Sequence, residues 1–368
     1  MNHSLKILKI FGIEIRLHYS WWFVFIFLAW GLATGYFPTA ISGLSKNTYW
    51  LMGFIASVLL FVSVLLHELS HSLVAKAKKI GVESITLFFF GGVAGIEKED
   101  IEPKAELLMA LAGPLFSLVL AGIFYLTFHF FQLNGNGFWT AITQYLAQLN
   151  FTLALFNLVP GFPLDGGRAF RAVLHWYYKD LRKATKIAVW GGKFFAGILM
   201  FFGVVGLFTG SGNTLWFIFL GGFLYFIAGA SYEQVIVRQV LGKISLREVM
   251  KKKFTVLSPR MGLSFFLQKY KYDEETTFVV RDKTFLGVID LQKGIPVSLK
   301  NMNLKKAAHP VGKENSVQIQ ESAYEAFRKC VEEKRDALLV FDKWKFVGIV
   351  TRAALLRALM WEVGRERR

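Results

Sequence analysis

Apolar residues come in long stretches over the first two-thirds of this chain and in short ones thereafter. A helix that crosses a hydrocarbon core needs about 20 mostly apolar residues. Stretches of that kind run from Tyr19 to Phe37, Tyr49 to Lys76, Ala105 to Phe131, Ala141 to Val159, Ala188 to Phe208 and Leu215 to Tyr232. They predict a polytopic α-helical membrane protein with about six transmembrane helices. One apolar stretch breaks the pattern: Ser84 to Ile96 is β-prone and interrupted by Gly91, Gly92 and Gly95. Non-helical backbone at membrane depth survives only where protein or a cavity covers it. The stretch therefore predicts a short strand-and-turn pressed against a neighbouring helix, with an interfacial loop as the alternative.

Past about Glu233 charged residues become frequent and the apolar runs shorten, which divides the chain into a membrane unit, 1–235, and a soluble tail, 236–368. The tail repeats itself. Phe278-Val279-Val280 followed by Gly287-Val288-Ile289 is echoed by Ala337-Leu338-Leu339-Val340-Phe341 followed by Gly348-Ile349-Val350-Thr351. Each pair of β-rich runs follows a helix-like segment, so the tail is expected to hold two packed α/β units at about 245–300 and 302–362.

Composition agrees with a membrane chain: 54% of the 368 residues are hydrophobic and 16% aromatic. The net charge of +17 first suggests nucleic acid, but its placement argues for a membrane partner instead. Lys6, Lys9 and Arg16 precede the first span, Lys76, Lys78 and Lys79 follow the second, and Arg168, Arg171, Lys179, Arg182, Lys183 and Lys186 separate the fourth from the fifth. The opposite connections carry only Lys46. By the positive-inside rule both termini are expected in the cytosol of a multi-pass cell-membrane protein, and no aromatic-basic nucleic-acid signature is present. The single cysteine, Cys330, excludes an intrachain disulfide framework. No cleaved signal peptide is expected, because the chain starts with polar and charged residues rather than a short apolar run.

The chemistry concentrates at His67-Glu68-Leu69-Ser70-His71, which closes the apolar run Leu51 to Leu66. On a helix the two histidines, four apart, share a face and can converge on one ion while Glu68 lies beside it. Ionisable residues at such depth are costly and usually functional. Zinc catalysis needs three protein ligands and an open position. Asp165, in Val159-Pro160-Gly161-Phe162-Pro163-Leu164-Asp165-Gly166-Gly167, is the best third ligand, because proline and glycine end the fourth span there and let an acid turn back. Taken alone, Asp165 also reads as a turn or N-cap aspartate. A second function class fits the same polar groups: a transporter or channel using them as an ion path. His3, His18, His129, His175 and His309 are assigned no role, and Gln144, Gln148 and Asn150 read as packing within a bundle.

His-Glu-x-x-His in one span, with Asn157-Leu158-Val159-Pro160 and Pro163-Leu164-Asp165-Gly166-Gly167 after another, resembles the site-2 protease family of intramembrane zinc metalloproteases. Phe90-Gly91-Gly92 and Ala112-Gly113-Pro114 are similar to its accessory motifs, and the tail units resemble a CBS-domain pair. The resemblance implies one Zn2+ per chain held by His67, His71 and Asp165, with Glu68 as the catalytic acid/base. It implies regulated intramembrane proteolysis, in which a transmembrane segment of a membrane-anchored protein is cut. Asn157 matches an asparagine that holds the substrate backbone or the oxyanion, with interhelical hydrogen bonding as its alternative. Gly91 and Gly92 lie in a stretch that could add a strand to unwound substrate. For the tail the resemblance implies an adenine nucleotide. The family's ribose pattern, a Thr or Ser followed three residues later by Asp, is however met by Thr351 and Ala354 in one unit and by Asp290 and Lys293 in the other. Homodimerisation through the CBS units, or substrate docking, therefore stands beside nucleotide binding.

Overall fold

A computed structural model describes residues 4–88, 91–96, 101–210, 214–270, 277–283, 286–290 and 302–366. The chain forms two compact units, Met1–Tyr232 and Glu233–Arg368.

The first unit is a helix bundle with one sheet. Among the described residues, five helices are long and apolar enough to cross a membrane: α1 (Ser20–Ala40), α2 (Lys46–Ala77), α3 (Pro103–Leu133), α6 (Leu181–Thr209) and α7 (Thr214–Lys243). Between them lie α4 (Gly137–Asn157) and the short α5 (Asp165–Tyr178). The sequence predicts a sixth span where α4 stands. This helix has 21 residues, about 30 Å of rise, but Thr140, Thr143, Gln144, Gln148 and Asn150 lower its hydropathy. Asn150 packs as expected, donating to Ser63 Oγ at 3.3 Å and to the Leu146 carbonyl at 2.9 Å. Gln144 and Gln148 do not: they sit on the exposed face. Local chemistry sets the helix ends. Ser45 accepts from the Thr48 amide to start α2, Pro103 opens α3, and Asp180 caps α6 through the Arg182 and Lys183 amides.

The glycine-broken stretch is a hairpin, β3 (Val82–Phe88) and β4 (Gly91–Ile96), paired antiparallel with Leu87 opposite Gly92. It belongs to a larger sheet that the sequence reading missed. An N-terminal hairpin, β1 (Ser4–Ile10) and β2 (Ile13–His18), turns at Phe11 and Gly12, both at positive φ, and β2 runs parallel to β3. The order is β1-β2-β3-β4. Alternate residues Ile13, Ile15, Ile85 and Leu87 form a buried cluster with Leu69 of α2, joined by Leu65 and Leu66. Burying each such side chain contributes about 1.5–3 kcal/mol. Lys76, in the last turn of α2, donates to the Phe11 carbonyl at 2.5 Å and ties down the hairpin tip. The motif-bearing helix thus has the sheet clamped along one side.

The second unit contains a repeated pattern. β5 (Val256–Leu257), α8 (Leu263–Tyr270), β6 (Thr277–Arg281) and β7 (Leu286–Asp290) are matched by β9 (Ser316–Gln318), α9 (Ala323–Glu332), β10 (Ala337–Asp342) and β11 (Lys345–Thr351). In each, the first strand pairs parallel with the second, and the second antiparallel with the third. The edge strand β8 (His309–Pro310) completes the first sheet. Val279, Val288, Leu339 and Ile349 make one cluster from both sheets. Thr351 accepts from the Ala354 amide at 3.2 Å, at the start of the last helix, α10 (Arg352–Glu366). Lys293 lies outside the described residues.

Candidate metal centre

His67 and His71 lie one helical turn apart on α2 and are buried, at 3% and 6% exposure. Asp165 reaches them from elsewhere. After α4 ends at Asn157 the chain turns through Leu158–Leu164, and Asp165 is the first residue of α5, where a helix N-terminus favours a carboxylate. Its Oδ2 lies 3.2 Å from His67 Nε2 and 3.1 Å from His71 Nε2, and the two Nε2 atoms are 3.2 Å apart. Among the described residues, these three form the one group arranged to hold a metal ion.

The remaining nitrogens define what this triangle can bind. His71 Nδ1 lies 2.5 Å from the Met109 carbonyl oxygen, which can only accept, so Nδ1 carries the proton and donates. In the neutral ring, Nε2 then presents a lone pair to Asp165. Lone-pair atoms set this close repel one another unless a cation lies between them. Ligand atoms about 2.0–2.1 Å from a tetrahedral ion stand about 3.3 Å from one another. The observed triangle has that size, and two imidazoles with a carboxylate are a zinc-type donor set. The residues present fit the metal.

One face of α3 backs the cluster. Met109, Gly113 and Ser117 follow at intervals of four residues. Met109 holds His71, and Ser117 Oγ lies 2.9 Å from His67 Nδ1. Gly113 sits between, where a Cβ would overlap Nε2 of both rings. The helix carrying Asp165 is fastened to the same element. Arg171 of α5 donates through Nε and Nη2 to Glu106 of α3, whose side chain is 3% exposed, and Arg171 also lies 4.9 Å from the Phe162 ring centroid. Sequence reasoning missed Ser117, the Met109 carbonyl and the Glu106–Arg171 pair. A signal existed for two of them: Ser117 follows Gly113 by one turn, and a lone acid opens the apolar α3.

Glu68 is half-buried beside the histidines. A Cβ on Gly92 would overlap its side chain, so β4 rests directly on Glu68. Gly91 is the neighbouring β4 residue, paired with Phe88. Asn157 is the last residue of α4 and half-buried, eight positions before Asp165 across the turn. Ser70 donates to the His67 carbonyl at 2.6 Å, within its own helix.

Comparison with known proteins accords with this geometry. The model of Peptidase family M50 matches residues 55–135 and 132–202, which contain all three clustered side chains, and the CBS domain model matches residues 312–360. A zinc metalloprotease of Methanocaldococcus jannaschii is 33% identical over 364 residues, covering 98% of this chain and 97% of the relative. The solved site-2 protease from Methanocaldococcus jannaschii is 34% identical, covering 62% of this chain and 94% of that one with a TM-score of 0.41.

Proposed function

This chain belongs to peptidase family M50 as a site-2-type zinc metalloprotease with a CBS domain, and on that premise we propose that it cuts membrane-anchored proteins within their transmembrane segments. The observation that carries the reading is the triangle of His67, His71 and Asp165 on and beside a helix apolar enough to cross a bilayer. His67, His71 and Asp165 hold the zinc. When bound, zinc supplies Lewis acidity, which makes water nucleophilic at neutral pH and polarises a carbonyl.

The chain's own residues do the rest. Glu68 takes the proton of the attacking water and returns it to the departing amine. Asn157 donates to the substrate backbone or to the developing oxyanion. A transmembrane helix must unwind before its peptide bond is accessible, and each freed amide needs a partner in a dry site. In the described sheet β4 is an edge strand, so an extended substrate can pair with it beside Glu68, with no side chain on Gly91 or Gly92 to hold it off.

The unit at 1–235 is the protease, multi-pass in the cell membrane with both termini cytosolic, as the distribution of Lys and Arg supports. The tail at 236–368, with CBS units at about 245–300 and 302–362, regulates it or joins two copies. Ala354 stands where the ribose pattern has Asp, so a docking or dimerising role stands beside adenine-nucleotide binding.

The test is cleavage of membrane-anchored substrates by the purified, reconstituted chain. Wild type should carry stoichiometric zinc and cleave, while Glu68→Gln keeps the zinc and loses about 10²–10⁴-fold in kcat/KM. A zinc-free wild type, or undiminished cleavage by Glu68→Gln, would overturn the reading.

A further inference from the structure

The outer nitrogens of the two histidines are held in chemically different ways. His71 Nδ1 faces a backbone carbonyl, an acceptor that no substitution removes. His67 Nδ1 faces the hydroxyl of Ser117 at 2.9 Å, and a hydroxyl can donate as well as accept. The backbone therefore fixes the tautomer of His71, whereas that of His67 depends on one side chain. Ser117 is fully buried, and the ring it meets is 3% exposed.

We propose that Ser117 is a positioning residue for the metal centre: its Oγ accepts from His67 Nδ1–H and keeps Nε2 as the lone-pair nitrogen facing His71 and Asp165. The inference rests on the reading of His67 as a zinc ligand. If Ser117 donated instead, the proton would sit on Nε2, aimed into the cluster and blocking the ion. Without the hydroxyl, Nδ1–H would be buried with no acceptor, and the ring would lose the contact that sets its rotation. Partners of this kind fix ring orientation and tautomer, and their loss typically weakens metal binding by about 10–100-fold. Met109, Gly113 and Ser117 then act as one rest, gripping the two rings at its ends and making room for both in the middle.

The experiment compares wild type, Ser117→Ala and Ser117→Thr as full-length protein in detergent. Zinc affinity is read by competition with a chelator, and site geometry by the visible absorption of the Co2+-substituted protein. Ser117→Ala should bind zinc about 10–100-fold more weakly with an altered Co2+ spectrum, while its metal-free thermal midpoint stays near wild type. Ser117→Thr retains the hydroxyl and should restore both metal readouts. If Ser117→Ala binds zinc as tightly as wild type, or Ser117→Thr fails like Ser117→Ala, the hydroxyl has no such role. A wild type without zinc affinity would instead remove the metal reading itself, and the role of Ser117 with it.

Discussion

Phe208, Phe226 and Phe194 of the first unit are 87%, 75% and 72% exposed, whereas Phe266 and Phe278 of the second are fully buried. Polar groups show the reverse. His67, Glu106, Ser117 and Asn150 are buried in the helix bundle, while the tail keeps Arg328, Glu325 and Glu332 in ion pairs at its surface. One chain therefore follows two solvent rules. Where the surroundings are hydrocarbon, an apolar side chain says little about its position and a polar one marks a site. Where they are water, apolar residues mark the core and surface ion pairs contribute little.

The largest expected effect that tests this contrast is Gly113→Ala. Alanine is the better helix former by about 1 kcal/mol, so α3 should persist, yet the added methyl occupies the space of both Nε2 atoms. Zinc content should fall to background with the metal-free melting temperature unchanged. Zinc at the wild-type level would show that the rings do not rest on this glycine.

Next comes the buried pair between α3 and α5. Glu106→Gln leaves the Arg171 charge uncompensated and should cost about 3–5 kcal/mol, measured by denaturation in mixed micelles. Adding Arg171→Met should recover most of that loss. A double variant as unstable as the single one would mean the pair does more than neutralise charge.

Equivalent cuts in the two units should differ, and one of them gives the smallest effect of all. Phe278→Ala should destabilise the tail by about 3–5 kcal/mol. Phe208→Ala should stay within about 0.5 kcal/mol, because its ring packs on little of the protein. Equal losses, read by the same thermal assay, would erase the distinction.

The same contrast explains what could be read before the structure. His67, Glu68, His71 and Asp165 stood out because charge in an apolar run is rare, and the tail repeat because its strands alternate with a helix. The N-terminal hairpin was harder. Its alternation through Ile13, Glu14, Ile15 and Arg16 is short, and its partner β3 lies about 70 positions away, a pairing no local pattern announces. The 14 residues of α5 fall in the cation-rich connection between the fourth and fifth predicted spans, too short to cross a bilayer, so the length criterion passes over them. The Met109 carbonyl has no signature in a sequence at all. Gln144 and Asn150 look alike on paper, and only packing separates the exposed one from the buried one.

Asp165 follows His71 by 94 positions. At a synthesis rate of about 5–20 residues per second, the histidines emerge roughly 5–20 s before the carboxylate that completes their triangle. Both long helices α3 and α4 are made in that interval. The triangle thus cannot close before α1 to α4 are made, and the growing chain carries no complete cluster while those first four helices are being inserted, with α6 and α7 still to come.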